Sequence, residues 1–336
     1  MTPACCAVAP PPPGVRELLK KVPDEVAEKF YGCGSPTPNG IQGLRQAVLD
    51  LGCGSGRDCY VCAGLVGEAG SVTGVDMTPS MLEVARKHAD EFCTKTLGYS
   101  RTNMRFVEGQ IEKLGEAGIQ AGSVDLIISN CVVNLSPDKP AVLREAYRAL
   151  AEGGEVYFSD VYCNRRLPEE IRTHPVLLGE CLGGAMYERD FARICREAGF
   201  LAPQRLTARP FQAGLRAAVS DPELREMLGG AGFSSVTYRL FKLPEGLLEE
   251  GREDYGQAAR YLGALPGHKL SYALDGEQEL EAGKWHAVCG NTAAILQHGW
   301  LSRHFQVIGD STNHFGPFLP LGGTQLAGPA SAADAP

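Results

Sequence analysis

Short apolar runs of strand length alternate with helical segments between residues 46 and 160. The run 124–129 is apolar on both faces, as a central strand of a parallel sheet should be. Helix signals separate the runs: Thr78-Pro79 and Asp138-Lys139-Pro140 predict helix starts, and Gly153-Gly154 predicts a helix end. The alternation predicts an α/β fold with a doubly wound, mostly parallel sheet, and its strands are expected near 47–49, 71–75, 104–107, 124–129 and 155–159.

The flanking segments have different patterns. Residues 15–30 carry apolar side chains three and four apart, and Pro23 divides them into two short helices. Beyond Ala208, extended apolar runs such as 236–243 indicate a smaller α+β domain. The predicted organisation is an N-terminal arm with helices (1–40), the sheet domain (41–208), the small C-terminal domain (209–309) and a tail expected to be disordered (310–336).

Composition and charge exclude several classes of protein. The 336 residues are 44% hydrophobic and carry a net charge of −8, so the chain has material for a large core and lacks the basic excess of nucleic-acid-binding proteins. No apolar run reaches the length of a transmembrane helix. The proline-rich N-terminus is a poor signal peptide. We therefore expect a cytoplasmic protein without nucleic-acid or membrane partners.

Cysteine is the unusual component, with 12 residues in the chain. In a reducing cytoplasm, thiols serve metal binding or catalysis more often than disulfide cross-linking. The surplus therefore indicates thiol chemistry. The histidines show no metal-ligand spacing, so a zinc site is not expected.

A glycine-rich loop follows the first predicted strand and precedes a helix. Its glycines are Gly52, Gly54 and Gly56, with Asp50 before the loop and Asp76 at the end of the second strand. An acid at that strand end can accept both hydroxyls of a ribose. The third glycine comes one residue earlier than in dinucleotide sites, and a carboxylate beside the loop suits a cationic amino group. The pattern favours S-adenosylmethionine over a nicotinamide cofactor or a purely structural turn.

The arrangement resembles the class I S-adenosylmethionine-dependent methyltransferases over residues 45–200. The resemblance implies a Rossmann-like fold. It also implies that residues after the third strand contact adenine, that Met77 beside Asp76 lies in the cofactor site, and that Asn130 faces the methyl group. The residues matching the adenine contacts are Gln110, Ile111 and Glu112.

Cysteines follow the predicted strands where an acceptor would lie. Cys131 comes directly after the fourth strand, and Cys181 lies in the insertion after the fifth. Ligands of such sheets bind at the carboxyl ends of the strands, so both thiols are expected near the methyl donor. Cys33 lies in the loop entering the domain, and Cys5-Cys6 on the N-terminal arm. Thiolates select soft metals and metalloids.

Several motifs together resemble the arsenite methyltransferases, from about residue 15 to 309. They include YGCG, DLGCGSGRDCY, VTGVDMT, SNCVVNL, YFSDVY and LPEEIRTHPVLLGECLGGA. The resemblance implies that Cys33, Cys131 and Cys181 bind arsenic(III) as substrate, with Cys5 or Cys6 as a fourth, assisting thiol. The doubled N-terminal cysteine leaves that assignment open. The C-terminal cysteine cluster of animal members is absent, which suggests that the chemistry does not need it.

This resemblance implies a mechanism in which arsenic arrives as a thiol conjugate, for instance with glutathione. It exchanges onto three protein thiolates and keeps a lone pair for the methyl group, so no general base is needed. A disulfide of Cys33 with Cys5 or Cys6 would supply the two reducing electrons, and thioredoxin or glutathione would reset it. The other cysteines are expected to be structural: Cys53, Cys62, Cys93, Cys163, Cys195 and Cys289, and also Cys59, whose C-x-x-C with Cys62 falls within a helix.

Two alternatives remain open on the sequence. One is a methyltransferase for a carbon or oxygen acceptor such as a quinone or sterol, which would need an apolar pocket and be indifferent to thiol reagents. The other is a non-enzymatic thiol protein that sequesters arsenic or antimony. The presence of Asp50, Asp76 and all three loop glycines counts against sequestration alone.

Overall fold

A computed structural model describes residues 11, 13–30, 32, 37–38, 41, 46–210 and 222–319. The helices are α1 Pro13–Leu19, α2 Asp24–Glu28, α3 Arg57–Val66, α4 Pro79–Lys87, α5 Ala89–Glu91, α6 Lys139–Ala149, α7 Glu169–Arg172, α8 Pro175–Gly179, α9 Glu188–Glu197, α10 Pro222–Leu228 and α11 Gly290–His298. The strands are β1 Ala47–Leu51, β2 Ser71–Asp76, β3 Met104–Glu108, β4 Val124–Asn130, β5 Leu150–Cys163, β6 Met186–Tyr187, β7 Gln204–Pro210, β8 Phe233–Phe241, β9 Glu253–Asp254, β10 Ala258–Tyr261, β11 Ser271–Ala273, β12 Glu279–Glu281, β13 Trp285–Ala287, β14 Phe305–Ile308 and β15 Gly316–Pro317.

The main sheet has the strand order β3-β2-β1-β4-β5-β8-β7, with β6 pairing the end of β5. The pairs from β3 to β5 are parallel, and β8 runs antiparallel to both β5 and β7. The predicted doubly wound, mostly parallel sheet is confirmed. Because β1 lies between β2 and β4, the loops after these three strands meet at one edge of the sheet.

Helices cover both faces of the sheet, which explains why its central strands are apolar on both sides. Leu49 and Ile127 belong to the cluster that contains residues of α6 and α9, whereas Val48 and Leu126 belong to the cluster on the α3 side. Alternate residues of one strand point to opposite faces, so each strand serves both cores.

The N-terminal helices α1 and α2 pack against the α3 face. Pro23 precedes the first residue of α2, as the predicted division at this proline requires. Val26 is fully buried, and the Glu25 carboxylate accepts hydrogen bonds from Lys87 at 2.7 Å and His88 at 2.9 Å. These contacts lower the pKa of Glu25 to about 2. Helix α2 is thereby fixed beside α4.

Two predicted boundaries are wrong. The apolar run 236–243, assigned to a separate C-terminal domain, lies largely in β8, which pairs with β5 over its whole length. The main sheet therefore continues past the predicted boundary at residue 208. The helix predicted to end at Gly153-Gly154 ends at Ala149, because β5 already begins at Leu150 and pairs with Val124 before a bulge.

Small sheets and α11 follow β8. One sheet has the order β13-β10-β14, and β11 pairs with β12. A buried ion pair connects this region to the main sheet: Arg239 of β8 contacts Glu155 of β5 at 2.7 Å, and Trp300 donates to the same carboxylate at 2.7 Å. Arg239 also donates to Tyr272 at 2.9 Å. Such a network is costly to break, because removing one partner leaves a buried charge.

The beginning of the predicted tail is ordered. Strand β15 pairs with β9, so the expectation of disorder from residue 310 is wrong for 310–319, while 320–336 lie outside the described residues. No helix in the described part of the chain is long and apolar enough to cross a membrane.

Candidate active site

Left-handed backbone shapes the loop between β1 and α3. Gly52, Gly54 and Gly56 have φ angles of 65°, 53° and 89°, a region that glycine enters without steric cost. The amide of Gly52 donates to the Val75 carbonyl at 2.8 Å. A Cβ at Gly52 would collide with the side chain of Val132, so the close packing itself requires glycine here.

Asp76, at the carboxyl end of β2, faces this loop. Its Oδ2 accepts the amide of Gly54 at 2.8 Å and its Oδ1 accepts the amide of Thr78 at 2.9 Å. The two bonds fix the carboxylate, and each oxygen keeps a further lone pair that can accept a ribose hydroxyl. The predicted cofactor loop and acid are therefore brought together.

Asp50 lies beneath the loop and is 3% exposed. Burial raises the pKa of its carboxyl well above the usual range, and the charges of Asp58 and Asp76 add to the effect. The thiol of Cys59 donates to Asp50 at 3.3 Å. A cationic group of a ligand placed near Asp50 would counter this unfavourable environment, which fits the predicted preference for a positively charged cofactor.

Asp58 is a polar residue of this edge that the sequence pattern did not single out. It is buried at the start of α3, accepts from Arg57 at 2.8 Å, and accepts from the side chain of Asn130 at 3.1 Å. One sequence signal could have identified Asp58: it is an acid in the first turn of a helix that follows a glycine loop, and negative charge is stabilising there. Asp58 links the cofactor loop to the end of β4.

The predicted adenine-side residues follow β2 and β3. Met77 is 67% exposed at the loop after β2, and Gln110 precedes a 3₁₀ helix that begins at the buried Ile111. Glu112 in that helix accepts a hydrogen bond from Ser136. β2 and β3 are neighbours in the sheet, so the segments after them lie at the same edge. The glycine loop, Asp76 and the exposed Met77 lie at this edge, and their chemistry fits an adenosine-containing cofactor.

Cys131 adopts a left-handed backbone conformation directly after β4. Its φ angle is 59°, and its amide donates to the Ser159 carbonyl of β5 at 2.9 Å. The residue is 4% exposed and is disulfide-bonded in this structure. The family resemblance had instead implied a disulfide of Cys33 with Cys5 or Cys6. An oxidised Cys131 has no thiolate with which to bind arsenic.

Cys181 adopts the same conformation, with φ of 60°, and closes helix α8. Its amide donates to Leu178 at 2.9 Å, and the amide of Leu182 donates to Leu177 at 2.8 Å. This pair of bonds defines a Schellman motif, whose left-handed position is usually glycine. The Cys181 thiol donates to the carbonyl oxygen of Cys131 at 3.5 Å. The structure therefore brings these two predicted site cysteines together.

Cys131 and Cys181 are the two non-glycine residues with positive φ among the residues that the structure describes. For side chains other than glycine, this conformation costs of order 1 kcal/mol or more and is maintained only by surrounding structure. Such outliers concentrate at functional sites, so their coincidence with both predicted acceptor cysteines is informative.

A buried acid supports the segment that carries Cys131. Asp160 of β5 is 1% exposed, and its carboxylate accepts the amide of Asn134 at 2.9 Å. The Asn134 side chain donates to the Val161 carbonyl at 2.6 Å. Burial raises the pKa of Asp160 to about 7, opposed by the hydrogen bonds that its carboxylate accepts from the backbone amides of Val161 and Asn134 and by the charge of Lys139. The sequence signal was an acid within the largely apolar run YFSDVY.

The remaining cysteines divide into three groups. Cys53, in the cofactor loop, is half-buried, although a structural role was predicted for it. Cys5, Cys6 and Cys33 lie outside the described residues. Six cysteines are buried at 2% exposure or less, in agreement with the predicted structural role: Cys59, Cys62, Cys93, Cys163, Cys195 and Cys289. Burial raises the pKa of the Cys59, Cys62, Cys163 and Cys195 thiols, which opposes thiolate formation.

Comparison with known proteins supports the interpretation of this sheet edge as a methyltransferase site. A family described as "Methyltransferase domain" matches residues 45–199. The arsenite methyltransferase of Aquipseudomonas alcaligenes is 49% identical over 322 residues, which are 96% of this chain and 89% of that protein. The chain belongs to the arsenite methyltransferase family. The human arsenite methyltransferase is 43% identical over 311 residues, covering 91% of this chain and 78% of the human one.

A solved structure supports membership of the arsenite methyltransferase family. The arsenic(III) S-adenosylmethionine methyltransferase of Chlamydomonas reinhardtii is 55% identical, with a TM-score of 0.86, and covers 92% of this chain and all of that one. The predicted Rossmann-like class I methyltransferase fold, the enzymatic character and S-adenosylmethionine as cofactor are confirmed.

Proposed function

We propose that this protein methylates arsenic(III) held by its own cysteine thiolates, as an arsenic-detoxifying enzyme. The observation that carries the proposal is the placement of Cys131 and Cys181, both in left-handed backbone, at the sheet edge that also carries the cofactor loop. The relatives named for the same activity support it. When bound, S-adenosylmethionine supplies an electrophilic methyl group on a sulfonium sulfur.

The cofactor would be held by residues of three strand ends. The glycine loop accommodates its close approach to the backbone, Asp76 accepts ribose hydroxyls, and Asn130 lies beside the acceptor cysteines. Met77, Gln110, Ile111 and Glu112 lie after β2 and β3, on the adenine side. These roles are assigned from position, and cofactor-binding measurements on single variants test them.

Arsenic would enter by thiol exchange. A protein thiol gives its proton to the departing thiol of a glutathione-type conjugate, and one arsenic–sulfur bond replaces another. Cys131 and Cys181 would supply two thiolates and Cys33 the third for arsenite. Soft sulfur ligands suit this soft metalloid. Bound this way, arsenic(III) keeps its lone pair, so no protein base is required at the nucleophile.

The proposed reaction needs a reductant, because Cys131 is disulfide-bonded in this structure. Methylation formally oxidises arsenic to the pentavalent state, and its return to the trivalent state consumes two electrons, which a cysteine pair supplies on forming a disulfide. Thioredoxin or glutathione would then reduce the disulfide, releasing two thiols and becoming oxidised in turn. Cys33 with Cys5 or Cys6 remains a proposed redox pair, and Cys131 must be reduced before arsenic binds.

The test is product analysis. The protein is reduced and then incubated with arsenite, glutathione and S-adenosylmethionine labelled in its methyl group, and the arsenic species are separated. The proposal predicts label in methylated arsenic, and its loss after thiol blocking. Label transferred only to a quinone or sterol acceptor, with activity indifferent to thiol reagents, would instead establish the alternative methyltransferase.

A further inference from the structure

The segments that carry Cys131 and Cys181 meet at two places. The Cys181 thiol donates to the carbonyl oxygen of Cys131 at 3.5 Å, and the second contact lies three residues further along each segment, between Gly184 and Asn134. A Cβ at Gly184 would lie 2.0 Å from the carbonyl oxygen of Asn134 and 2.8 Å from its carbonyl carbon. Gly184 is not one of the glycines with a positive φ, so its backbone conformation is open to other residues. The close approach to Asn134 alone requires glycine here.

Asn134 is fixed by the strand beneath it. It is 3% exposed, its backbone amide donates to the Asp160 carboxylate at 2.9 Å, and its side chain donates to the Val161 carbonyl at 2.6 Å. Both acceptors belong to β5, and leaving a buried acceptor without its donor is costly. The Asn134 carbonyl is therefore a fixed surface against which the Gly184 segment packs.

Gly184 follows a compact turn that includes Cys181. The amides of Leu182 and Gly183 both donate to the Leu177 carbonyl at 2.8 Å, so the chain from Cys181 to Gly183 is held against the end of α8. A displacement of Gly184 is transmitted through this short turn to Cys181. The contact with Asn134 therefore influences where the Cys181 thiol lies.

We propose that Gly184 and Asn134 are positioning residues that set the separation of the Cys131 and Cys181 thiols for binding one arsenic(III) atom between them. The inference rests on the proposed function and deepens it. Two arsenic–sulfur bonds to the protein replace two bonds to the departing thiols of a conjugate, which take up the two protons of the protein thiols. One atom bridges two thiols only where both lie within reach at once, so the second bond depends on their separation.

Methylarsenite tests these two thiols by themselves. It keeps one carbon ligand and needs only two protein sulfur atoms, so a third thiol does not enter the measurement. Gly184→Ala is expected to weaken the binding of methylarsenite, supplied as its glutathione conjugate, to the reduced protein about a hundredfold, because a misplacement of about 1 Å can have an effect of that size. Equilibrium dialysis, with arsenic quantified by elemental mass spectrometry, measures the affinity.

A purely structural role for Gly184 makes a different prediction. Gly184→Ala would then lower the unfolding midpoint, while the folded protein bound methylarsenite with unchanged affinity. Iodoacetamide reacts with one thiol at a time and does not sense their separation. Its rates at Cys131 and Cys181 in the reduced protein are expected to stay within about twofold of wild type. Unchanged affinity, or an affinity loss matched by an equal loss of single-thiol reactivity, would overturn the proposal.

A control variant and a second variant complete the design. Gly179→Ala is the matched control: Gly179 ends α8, and a Cβ there would meet no atom within 4 Å, so methylarsenite affinity is expected to be unchanged. Asn134→Ala keeps the backbone carbonyl but loses the side-chain bond to Val161, and it is expected to weaken affinity about tenfold. This variant provides the test if Gly184→Ala does not fold, and wild-type affinity in it would contradict the proposal.

Cross-linking tests the separation of the thiols without arsenic. A short dihalide that alkylates two neighbouring thiols is expected to join Cys131 to Cys181 in the reduced wild type, and to do so much less in Gly184→Ala. Peptide mass spectrometry measures the yield, and an equal yield in the two proteins would overturn the positioning role. Wild-type protein that forms the cross-link but binds no methylarsenite would instead overturn the proposed function.

Discussion

Two sides of one sheet edge use the same backbone conformation with different residues. On the cofactor side, the left-handed positions after β1 are Gly52, Gly54 and Gly56. On the acceptor side, after β4 and α8, they are Cys131 and Cys181. Glycine enters this region freely, whereas a residue with a Cβ is strained there. The cofactor side therefore uses the backbone itself, and the acceptor side keeps a side chain despite the cost.

The difference separates two kinds of requirement. A loop that must approach a ligand closely needs glycine, and its chemistry lies in amides and in the neighbouring Asp76. A site that must present sulfur cannot use glycine, even at a helix end where the Schellman motif favours it. The strain at Cys131 and Cys181 is then maintained by their surroundings, including Asp160.

The largest expected effect comes from removing an acceptor thiol. Cys131→Ser or Cys181→Ser should reduce arsenic methylation more than about a hundredfold, because an interaction with the reacting atom is lost. Binding of S-adenosylmethionine, measured by calorimetry, should stay within about twofold of wild type. Cys163→Ala is the matched control, a buried cysteine at the end of β5, and it should retain activity. Normal turnover in either serine variant would refute the assignment.

Asp160 offers a pH-dependent test of the support on the acceptor side. Its pKa is about 7 in the folded protein and 3.8 is its ordinary value, so the folded state binds the proton more tightly. The stability contribution is therefore fully present below pH 4 and is lost as pH rises to about 7. Between pH 5 and pH 8, the free energy of unfolding of wild type relative to Asp160→Asn should fall by about 3 kcal/mol.

Denaturant unfolding at several pH values measures this difference. The other titrating groups are shared by the two proteins and cancel in the comparison. A difference that stays constant with pH would show that Asp160 does not titrate in this range. Cofactor binding should be preserved in Asp160→Asn, because the carboxylate contacts the Cys131 segment and not the glycine loop.

Substituting a loop glycine tests the cofactor side. Gly52→Ala adds a Cβ that meets Val132 and places it at a φ of 65°, so both packing and backbone are disturbed. We expect a loss of stability of about 2–4 kcal/mol and weaker cofactor binding. Gly54→Ala is the milder comparison, since the nearest atom is the flexible Met81 Cε at 3.3 Å. Equal effects of the two substitutions would contradict the role of close packing at Gly52.

The smallest expected effect is the energy of the left-handed backbone conformation at Cys181. Cys181→Gly should be more stable than Cys181→Ala by about 1 kcal/mol, since glycine alone escapes the left-handed penalty. At Cys163, in extended β5, the order should reverse, because glycine weakens a strand. Unfolding midpoints under reducing conditions give both differences. Equal stability of the two Cys181 variants would show that no backbone strain is held there.

The sequence specified the cofactor side more completely than the acceptor side. Helix and strand signals from β1 to β5 are local, and glycine marks its own left-handed positions. A cysteine gives no sequence signal for a left-handed conformation. The glycines Gly183 and Gly184, which would predict the helix end, begin two residues after Cys181, the residue that closes helix α8. Strand β8 was misassigned because an apolar run shows that a strand is buried but not which strand it pairs with.

The central claim is that Cys131 and Cys181 bind the arsenic that is methylated. X-ray absorption at the arsenic edge, on reduced protein with one equivalent of arsenite and no free thiol, counts the sulfur atoms around arsenic. We predict three sulfur neighbours in the wild type and loss of two of them in the Cys131→Ser/Cys181→Ser double variant. An unchanged three-sulfur shell in that variant would contradict the claim.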